Sequence, residues 1–405
     1  MTEPMTMDDA RRRILDAVEP PAPIELPLAE AFGCVAATEV ATEYDIPPFS
    51  AAEVEGVAVR SADIAAATAE APVELRLAGR VVAGRPPEVT VGWGEAVRIE
   101  AGAPVPTGAD CVVPANVVAV QGEQVGVMEA AAPGANINPA GGDLKAGSVL
   151  VPAGRRLSGA ELGILAAAGY GTVLAHPKLR VGVIAVGDFV EPGRPTGLGQ
   201  VRDATSYALL GAIRDVGAVP YRIGIVRETV AALREALLSD LSRADACVCA
   251  GPVGPGGALG EALSGLGEIH PYRVAAHPAE AYGYGVVEGM PFFTVSAKPL
   301  AAFVSFEVLV RPAVLKMMGR RDLDRPSVAA VLEEGVAGPQ GVTLFVPARV
   351  SHREGAWRAR PTGSGSPSLL GQVVEANGLA VIPPGDGPVP AGTEVRVRIF
   401  RPLER

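Results

Sequence analysis

The sequence predicts a multidomain α/β protein: a doubly wound α/β domain, a helix/hairpin connecting domain, a β-rich module and a C-terminal small β-barrel. Three observations carry this. At 405 residues the chain is too long for one ordinary core, so two to four domains are expected. From Lys178 onward, apolar runs alternate with helical patterns at the spacing of a parallel sheet. On either side of that region, residues 45–140 and 324–405 break into short β-like runs separated by Gly/Pro turns.

The elements follow in order. Asp8 to Val18 is helical, with Ala10, Ile14, Leu15 and Val18 on one stripe and Arg11 to Arg13 opposite. Pro20-Pro21 and Pro23 end it. Ile24 to Ala37 reads as an extended segment with a short helix. Within 45–140, Val73 to Leu77, Ala96 to Ile99, Cys111 to Pro114 and Val125 to Met128 are strand candidates, punctuated by the shaped loop Ala101 to Asp110. Gly141 to Leu157 predicts two short strands paired around Lys145-Ala146-Gly147. Ser158 with Glu161 three residues later is a capping box for a helix over Gly159 to Ala168.

Val181 to Val186 is apolar without alternation, as suits a strand buried on both faces. Helices over Ser206–Val216 and Val230–Ser242, strands over Val219–Val226 and Asp245–Ala250, a helix-like run Ala258–Leu266, strands near Gly285–Val287 and Phe292–Val295, and an apolar helix Leu300–Met318 complete a parallel doubly wound pattern. Val342–Val346, Gly378–Ile382 and Glu394–Phe400 are strands of the last unit, a small barrel or sandwich. The boundaries expected are 1–44 with 141–177, then 45–140, 178–323 and 324–405.

A net charge of −10 and 4% aromatic residues argue against a nucleic-acid groove, which needs basic residues and stacking rings. No apolar run is long enough to span a bilayer, and the N-terminus has no secretory pattern, so the cytoplasm is the expected compartment and no membrane partner is expected. Cys34, Cys111, Cys247 and Cys249 read as buried apolar thiols. No Ser/His/Asp arrangement, cysteine nucleophile motif or zinc spacing is present.

Ligands of open α/β sheets bind beyond the carboxyl ends of the strands. That places Asp188, just after the buried strand, and Asp203, just before a helix, at the mouth of a site. Both could hold a metal ion, or both could cap turns and helix starts, where Asp is favoured anyway. Asp143, after Gly141-Gly142, has the same two readings.

The order of these parts resembles the MoeA and gephyrin E-domain family, the molybdopterin molybdenumtransferases, over essentially the full length. The resemblance is carried by Gly102-Ala103-Pro104-Val105-Pro106, Ala109-Asp110-Cys111-Val112-Val113, Gly142-Asp143 with Ala146-Gly147, Val186-Gly187-Asp188, Gly199-Gln200 to Asp203, and Gly363-Ser364-Gly365-Ser366. It implies a MoaB/MogA-like α/β domain with the β-rich module as a lid. It also implies molybdate insertion into adenylated molybdopterin with Mg2+ assisting, and a homodimer whose site lies between the α/β domain of one chain and the β-module of the other. By the same resemblance, Asp188, Asp203 and Asp143 are the catalytic candidates and Asp188, Asp203 and Glu55 the metal candidates. Gly102, Ala103, Pro104, Gly251, Gly254, His277, Lys298, Ser364 and Ser366 are the candidates for binding an anionic small-molecule ligand.

Several family positions are changed. Thr-Gly-Asp-Glu stands as Val186-Gly187-Asp188-Phe189, so an acid has become a ring. Glu55 replaces an Asp, and Ala101 a Thr. Arg-x-x-Gly-Glu-Asp is Asn138 to Asp143. The glycine loop contains Pro252 and Pro255, which have no N–H, and the acids after it are Gly257 and Leu259. The lysine loop is His277-Pro278-Ala279-Glu280-Ala281, which sets a carboxylate where a phosphate would meet a cation. Arg202 and Lys298 are new cations that could partly restore an anion pocket. These changes predict a family member with weakened or lost catalysis. The alternatives are retargeting to another phosphorylated or nucleotide-like substrate, and a non-catalytic ligand-binding or scaffolding role, such as pairing with an active paralogue or other molybdenum-cofactor proteins.

Overall fold

The computed structural model describes residues 4–251, 257–363 and 370–403. The first helix, Met7–Asp16, starts where the Thr6 hydroxyl oxygen accepts the Asp9 N–H at 3.1 Å. It buries Met7, Ala10 and Ile14 in the main core, together with the α/β sheet and the long C-terminal helix.

Ile24–Pro27 and Val35–Ala36 both pair antiparallel with Thr172–His176 in a three-stranded sheet. The short helix expected between the first two is absent. Residues 28–33 form consecutive turns that end at Gly33 with φ 80°. So few residues cannot propagate a helix past its costly first turn. The Lys145-Ala146-Gly147 turn is present, with Gly147 at φ 83°, but its arms do not pair with each other. Val149–Val151 pairs with Val40–Ala41, and Leu144 bridges to Ile46. The non-local partner takes both arms because the 40–46 segment lies alongside them.

The β-rich module is a six-stranded sheet in the order Cys111–Pro114, Gly56–Val59, Glu95–Ile99, Val73–Val81, Gln124–Val127 and Val118–Gln121. Gly56 is required there: a Cβ at this position would lie 1.9 Å from the Val113 carbonyl oxygen. The capping box at Ser158 forms as expected, with the Glu161 carboxylate accepting the Ser158 N–H at 2.9 Å ahead of the helix Gly159–Ala167.

The α/β sheet runs in the order Val219–Val226, Arg180–Val186, Ala246–Ala250, Met290–Val295, Ala281–Val287, Gly267–Arg273. Its first four strands are parallel and its last two antiparallel. The sheet is therefore mixed rather than wholly parallel. The two residues between Val287 and Met290, Glu288 and Gly289, both have positive φ (50° and 78°), and such a tight turn joins only antiparallel strands. The Arg180–Val186 strand is covered on both faces: Val181 and Val183 pack with Leu209 and Ile213, and Ile184 and Val186 with Leu233 and Leu237. The helix that ends the α/β domain runs from Pro299 to Met317, with a wider π turn at Phe306–Val310. Inside that turn Glu307 is buried and accepts from the Arg325 guanidinium at 2.9 and 3.0 Å.

The C-terminal strands close into a five-stranded barrel. Thr343–Arg353 pairs with Ala356–Pro361 and Gly378–Ile382, while Glu394–Ile399 joins Gly378–Ile382 to Ser327–Leu332, which runs parallel to Ala356–Pro361. Ala276–His277 from the α/β region adds to the barrel's Thr343–Leu344 edge. Among the described residues no helix is long and apolar enough to cross a membrane.

Candidate functional site

The carboxyl ends of the parallel strands bring together Gly187-Asp188, Asp203 to Thr205, Gly251 and Ser296 to Lys298. The Thr205 hydroxyl donates to the Ala297 carbonyl at 2.7 Å and ties the helix start to the 296–298 loop. The strand Arg180–Val186 stops at Gly187, whose φ of 143° suits only glycine. Phe189 folds back over it, with its ring 2.9 Å from where a Cβ would stand. Asp188 is exposed, and its side chain makes no hydrogen bond or ion pair with a described residue.

Asp203 is different. It is only 3% exposed. Oδ1 accepts the Ser206 N–H at 3.0 Å, and Oδ2 accepts from the Ser206 hydroxyl and, at 3.3 Å, from Arg222. It caps the Thr205–Val216 helix and pairs with the half-buried Arg222, so its lone pairs face its own chain. Arg222 also meets Glu191 at 2.8 Å and stacks on Tyr207, whose hydroxyl donates to Glu191 at 2.9 Å. Hydrogen bonds from Arg222 and Tyr207 hold the Glu191 carboxyl below its usual range. Burial alone would depress Arg222, but Glu191 and Asp203 outweigh it and raise the guanidinium. This network of Asp203, Ser206, Arg222, Glu191 and Tyr207 is not legible in the sequence. Its one visible signal is Arg222 inside an otherwise strand-like run.

The metal set Glu55, Asp188 and Asp203 is not assembled within one chain. Glu55 is exposed on the β-module, and among the described residues no group of three His, Cys, Asp or Glu is placed to hold an ion. Asp143 is exposed in a turn, and its N–H donates to the Ile46 carbonyl at 3.0 Å. The turn role fits it.

The Gly102-Ala103-Pro104 loop spends its backbone donors on its own chain. Gly102 N–H donates to the Ala52 carbonyl at 2.8 Å and Ala103 N–H to the Glu100 carbonyl at 3.1 Å. Ala103 is fully buried in a core cluster with Val97, Ile99 and Val112. As a ligand contact Ala103 is corrected to a packing residue, because nothing can reach it. Pro104 bridges to Ala51. Gly251 is also buried: its N–H donates to the Val295 carbonyl at 2.9 Å, and a Cβ there would lie 2.8 Å from Val186. Gly254, Ser364 and Ser366 lie outside the described residues.

His277 Nδ1 is 2.5 Å from Glu280 Oε1. Burial pushes the Glu280 carboxyl up, but the His277 hydrogen bond and the positive charges of His277 and Lys298 outweigh it, and the group titrates below its usual range. Lys298 is exposed at the start of the Pro299–Met317 helix, where its N–H donates to Ser296 Oγ at 3.1 Å. Its positive charge is felt by the Glu280 carboxylate, which groups it with His277 and Glu280. His277 also lines a cavity of about 490 Å³ between the α/β unit and the barrel, with Glu334, Phe345 and Gly363. Arg202 does not join this cluster through any side-chain contact among the described residues. Its guanidinium donates to the Arg194 carbonyl at 3.1 and 3.2 Å and closes its own loop.

Comparison with known proteins matches three family descriptions along the chain. Residues 5–169 match the MoeA N-terminal region (domain I and II), 182–316 a probable molybdopterin binding domain, and 329–400 the MoeA C-terminal region (domain IV). The chain is 36% identical over 419 residues to molybdopterin molybdenumtransferase 1 of Mycobacterium tuberculosis, covering 97% of this chain and 98% of the relative. It is 32% identical over 401 residues to transferase 2 of the same organism, again over 97% of this chain and 98% of the relative. Among solved structures, a molybdopterin biosynthesis MoeA protein from Pyrococcus horikoshii superposes with a TM-score of 0.80 at 28% identity, covering 99% of this chain and 100% of the other.

Proposed function

The chain belongs to the molybdopterin molybdenumtransferase family of molybdenum cofactor biosynthesis, and on that premise we propose that it binds a molybdopterin-type phosphorylated ligand while its insertion of molybdate is weakened or lost. The observation that carries this reading is the state of the two aspartates at the strand ends. Asp203 is committed to Ser206 and Arg222, and Asp188 stands without a second acid beside it because Phe189 occupies the next position. A magnesium ion needs several oxygen ligands in a tight octahedral shell. Within one chain the described residues do not supply them.

The ligand would lie across the mouth formed by Asp188, Lys298, His277 and Glu280, beyond the carboxyl ends of the strands. Lys298 and His277 are the groups able to meet its phosphate, with Glu280 competing for both. Glu55 contributes only if a second copy brings its β-module to this mouth, so the proposal includes a homodimer. The residues also favour a site for an anion over a proton-transfer centre, because the Asp203 carboxylate beside the Ser206 hydroxyl is buried and held by Arg222 and the helix start.

Complementation of a strain lacking its own molybdenumtransferase tests the proposal. The expected result is little or no restored molybdoenzyme activity, together with measurable calorimetric binding of adenylated molybdopterin. Full restoration overturns the weakened catalysis. Failure of both activity and binding overturns the ligand assignment and favours another phosphorylated substrate or a scaffolding role.

A further inference from the structure

Away from this mouth the barrel carries a concentration of one charge. The strands Thr343–Arg353 and Ala356–Pro361 form an antiparallel hairpin whose register sets Arg349 opposite Arg360 and Ser351 opposite Arg358. Residues directly opposite in an antiparallel pair share a face, and that face alternates with the one that packs inward. Ala348, Val350 and Ala359 are fully buried in the barrel core, so Arg349, Arg353, Arg358 and Arg360 share the outer face. The hairpin has one acid, Glu354, which lies 3.6 Å from Arg358. Arg353 and Arg360 are exposed, and neither makes a hydrogen bond or ion pair with a described residue.

The neighbouring strand Ser327–Leu332 does not neutralise this face. Its outward residues are Ser327, Ala329 and Val331, since Ala330 and Leu332 are buried. One strand further, Arg396 stands opposite Ala329 and extends the positive surface, while Glu394 opposite Val331 is the acid that borders it. Like charges set directly opposite in a sheet are destabilising. A solvated face of mixed charge would be the ordinary solution, and the more so in a chain of net charge −10. Two features separate this surface from a nucleic-acid groove. The basic face is confined to this hairpin and Arg396 and is bordered by Glu394, short of the extended basic stripe that tracks a phosphate backbone. Neither large ring of the hairpin is offered for stacking: Phe345 is buried in the main core, and Trp357 points to the other face, where it packs against the barrel core and His352, with ring centroids 4.9 Å apart.

We propose that the outer face of the 343–361 hairpin is a docking surface for an acidic protein partner. Exposed guanidinium groups read carboxylates in bidentate fashion, and complementary charge acts mainly on encounter rate and orientation. Ser327, Ala329 and Val331 leave a low strip beside the arginines on which a partner backbone can rest.

The test uses the full chain and labelled poly-L-glutamate as the probe, followed by fluorescence anisotropy. Binding is expected to weaken about tenfold or more between about 50 and about 200 mM salt. The double substitution Arg353→Glu with Arg360→Glu should abolish it without changing circular dichroism or the thermal midpoint. If that variant fails to fold, Arg353→Ser with Arg360→Ser is expected to give a graded loss. Arg76→Glu with Arg80→Glu, on the β-module, should leave binding intact. The proposal is overturned by absence of saturable binding, by equal loss in the β-module variant, or by a single-stranded DNA oligonucleotide that binds more tightly than poly-L-glutamate.

Discussion

Replacing Asp203 by alanine should destabilise the α/β domain, and the size of the loss separates a capping residue from a metal ligand. Asp203 gives up three acceptor contacts: the Ser206 N–H at 3.0 Å, the Ser206 hydroxyl and Arg222 at 3.3 Å. Loss of a helix cap costs about 1 kcal/mol. Loss of a hydrogen bond between charged groups costs about 1.5–3 kcal/mol, and the lower end applies because Arg222 keeps Glu191 at 2.8 Å and its side chain is 24% exposed. The total is about 2–4 kcal/mol, which at about 2–4 °C per kcal/mol lowers the midpoint by on the order of 10 °C. Asparagine keeps the cap and the acceptor for Ser206 but loses the charge, so Asp203→Asn should cost only about 1 kcal/mol. Urea denaturation followed by tyrosine fluorescence and circular dichroism measures both variants. A metal ligand behaves otherwise: its removal leaves the metal-free protein as stable as before. Two results would refute the capping role: Asp203→Ala staying within about 0.5 kcal/mol of the parent, or millimolar magnesium raising the parent's midpoint and not the variant's.

Two further outcomes follow from the titrating groups. Glu161 is held down at about 2, first by its hydrogen bond to Ser158 and then, against some burial, by Arg155. Its folded value lies below the unfolded value of about 4.5, so its contribution is complete above pH 4.5 and is lost as pH falls toward 2. Acid unfolding of the parent followed against Glu161→Gln should show that the substitution removes part of the pH dependence in that window and leaves the region above it parallel. Cys111 and Cys249 are pushed up to about 12 by burial, and Cys247 is raised well above its usual range by burial and by its neighbour Cys249. These thiols stay protonated and covered at pH 8, so iodoacetamide should leave them unmodified in the native protein and label them after denaturation; rapid native labelling at any of the three positions contradicts the burial.

Local signals in the sequence locate most elements, and the exceptions share a cause. The capping box at Ser158, the buried run Val181–Val186 and the strand Val219–Val226 are written in consecutive residues. Pairing partners are not. The arms of the 145–147 turn look self-complementary, yet they pair with 40–46 because that segment is already alongside. Gly267–Arg273 does not read as a strand because Pro271, Glu268 and His270 break its apolar pattern; as the sheet's outer strand it needs neither a full ladder nor two buried faces. In the site, Asp188 and Asp203 look alike in sequence. What separates them is Arg222, nineteen residues beyond Asp203 and one strand over, and no spacing rule announces it. The enclosure of Ala103 and Gly251 is hidden for a similar reason: burial is a property of the assembled module.

An anion pocket works when donors or cations point at an open position. Here Glu280 accepts from His277 at 2.5 Å and lies in the field of Lys298, so one carboxylate already answers both cations. An incoming phosphate must displace it or share it, and either costs part of the attraction that the two cations would give if unopposed. The cost is bounded because the Glu280 side chain is 54% exposed and can swing into water, where screening is strong. The charge arrangement therefore argues for weakened ligand affinity rather than a closed site. Glu280→Gln makes that weakening measurable. It removes the competing charge while keeping an acceptor for His277, so calorimetric affinity for adenylated molybdopterin should rise about tenfold, and more at low salt than at high salt. Unchanged affinity would mean that Glu280 does not face the ligand, and that His277 and Lys298 belong to the domain seam alone.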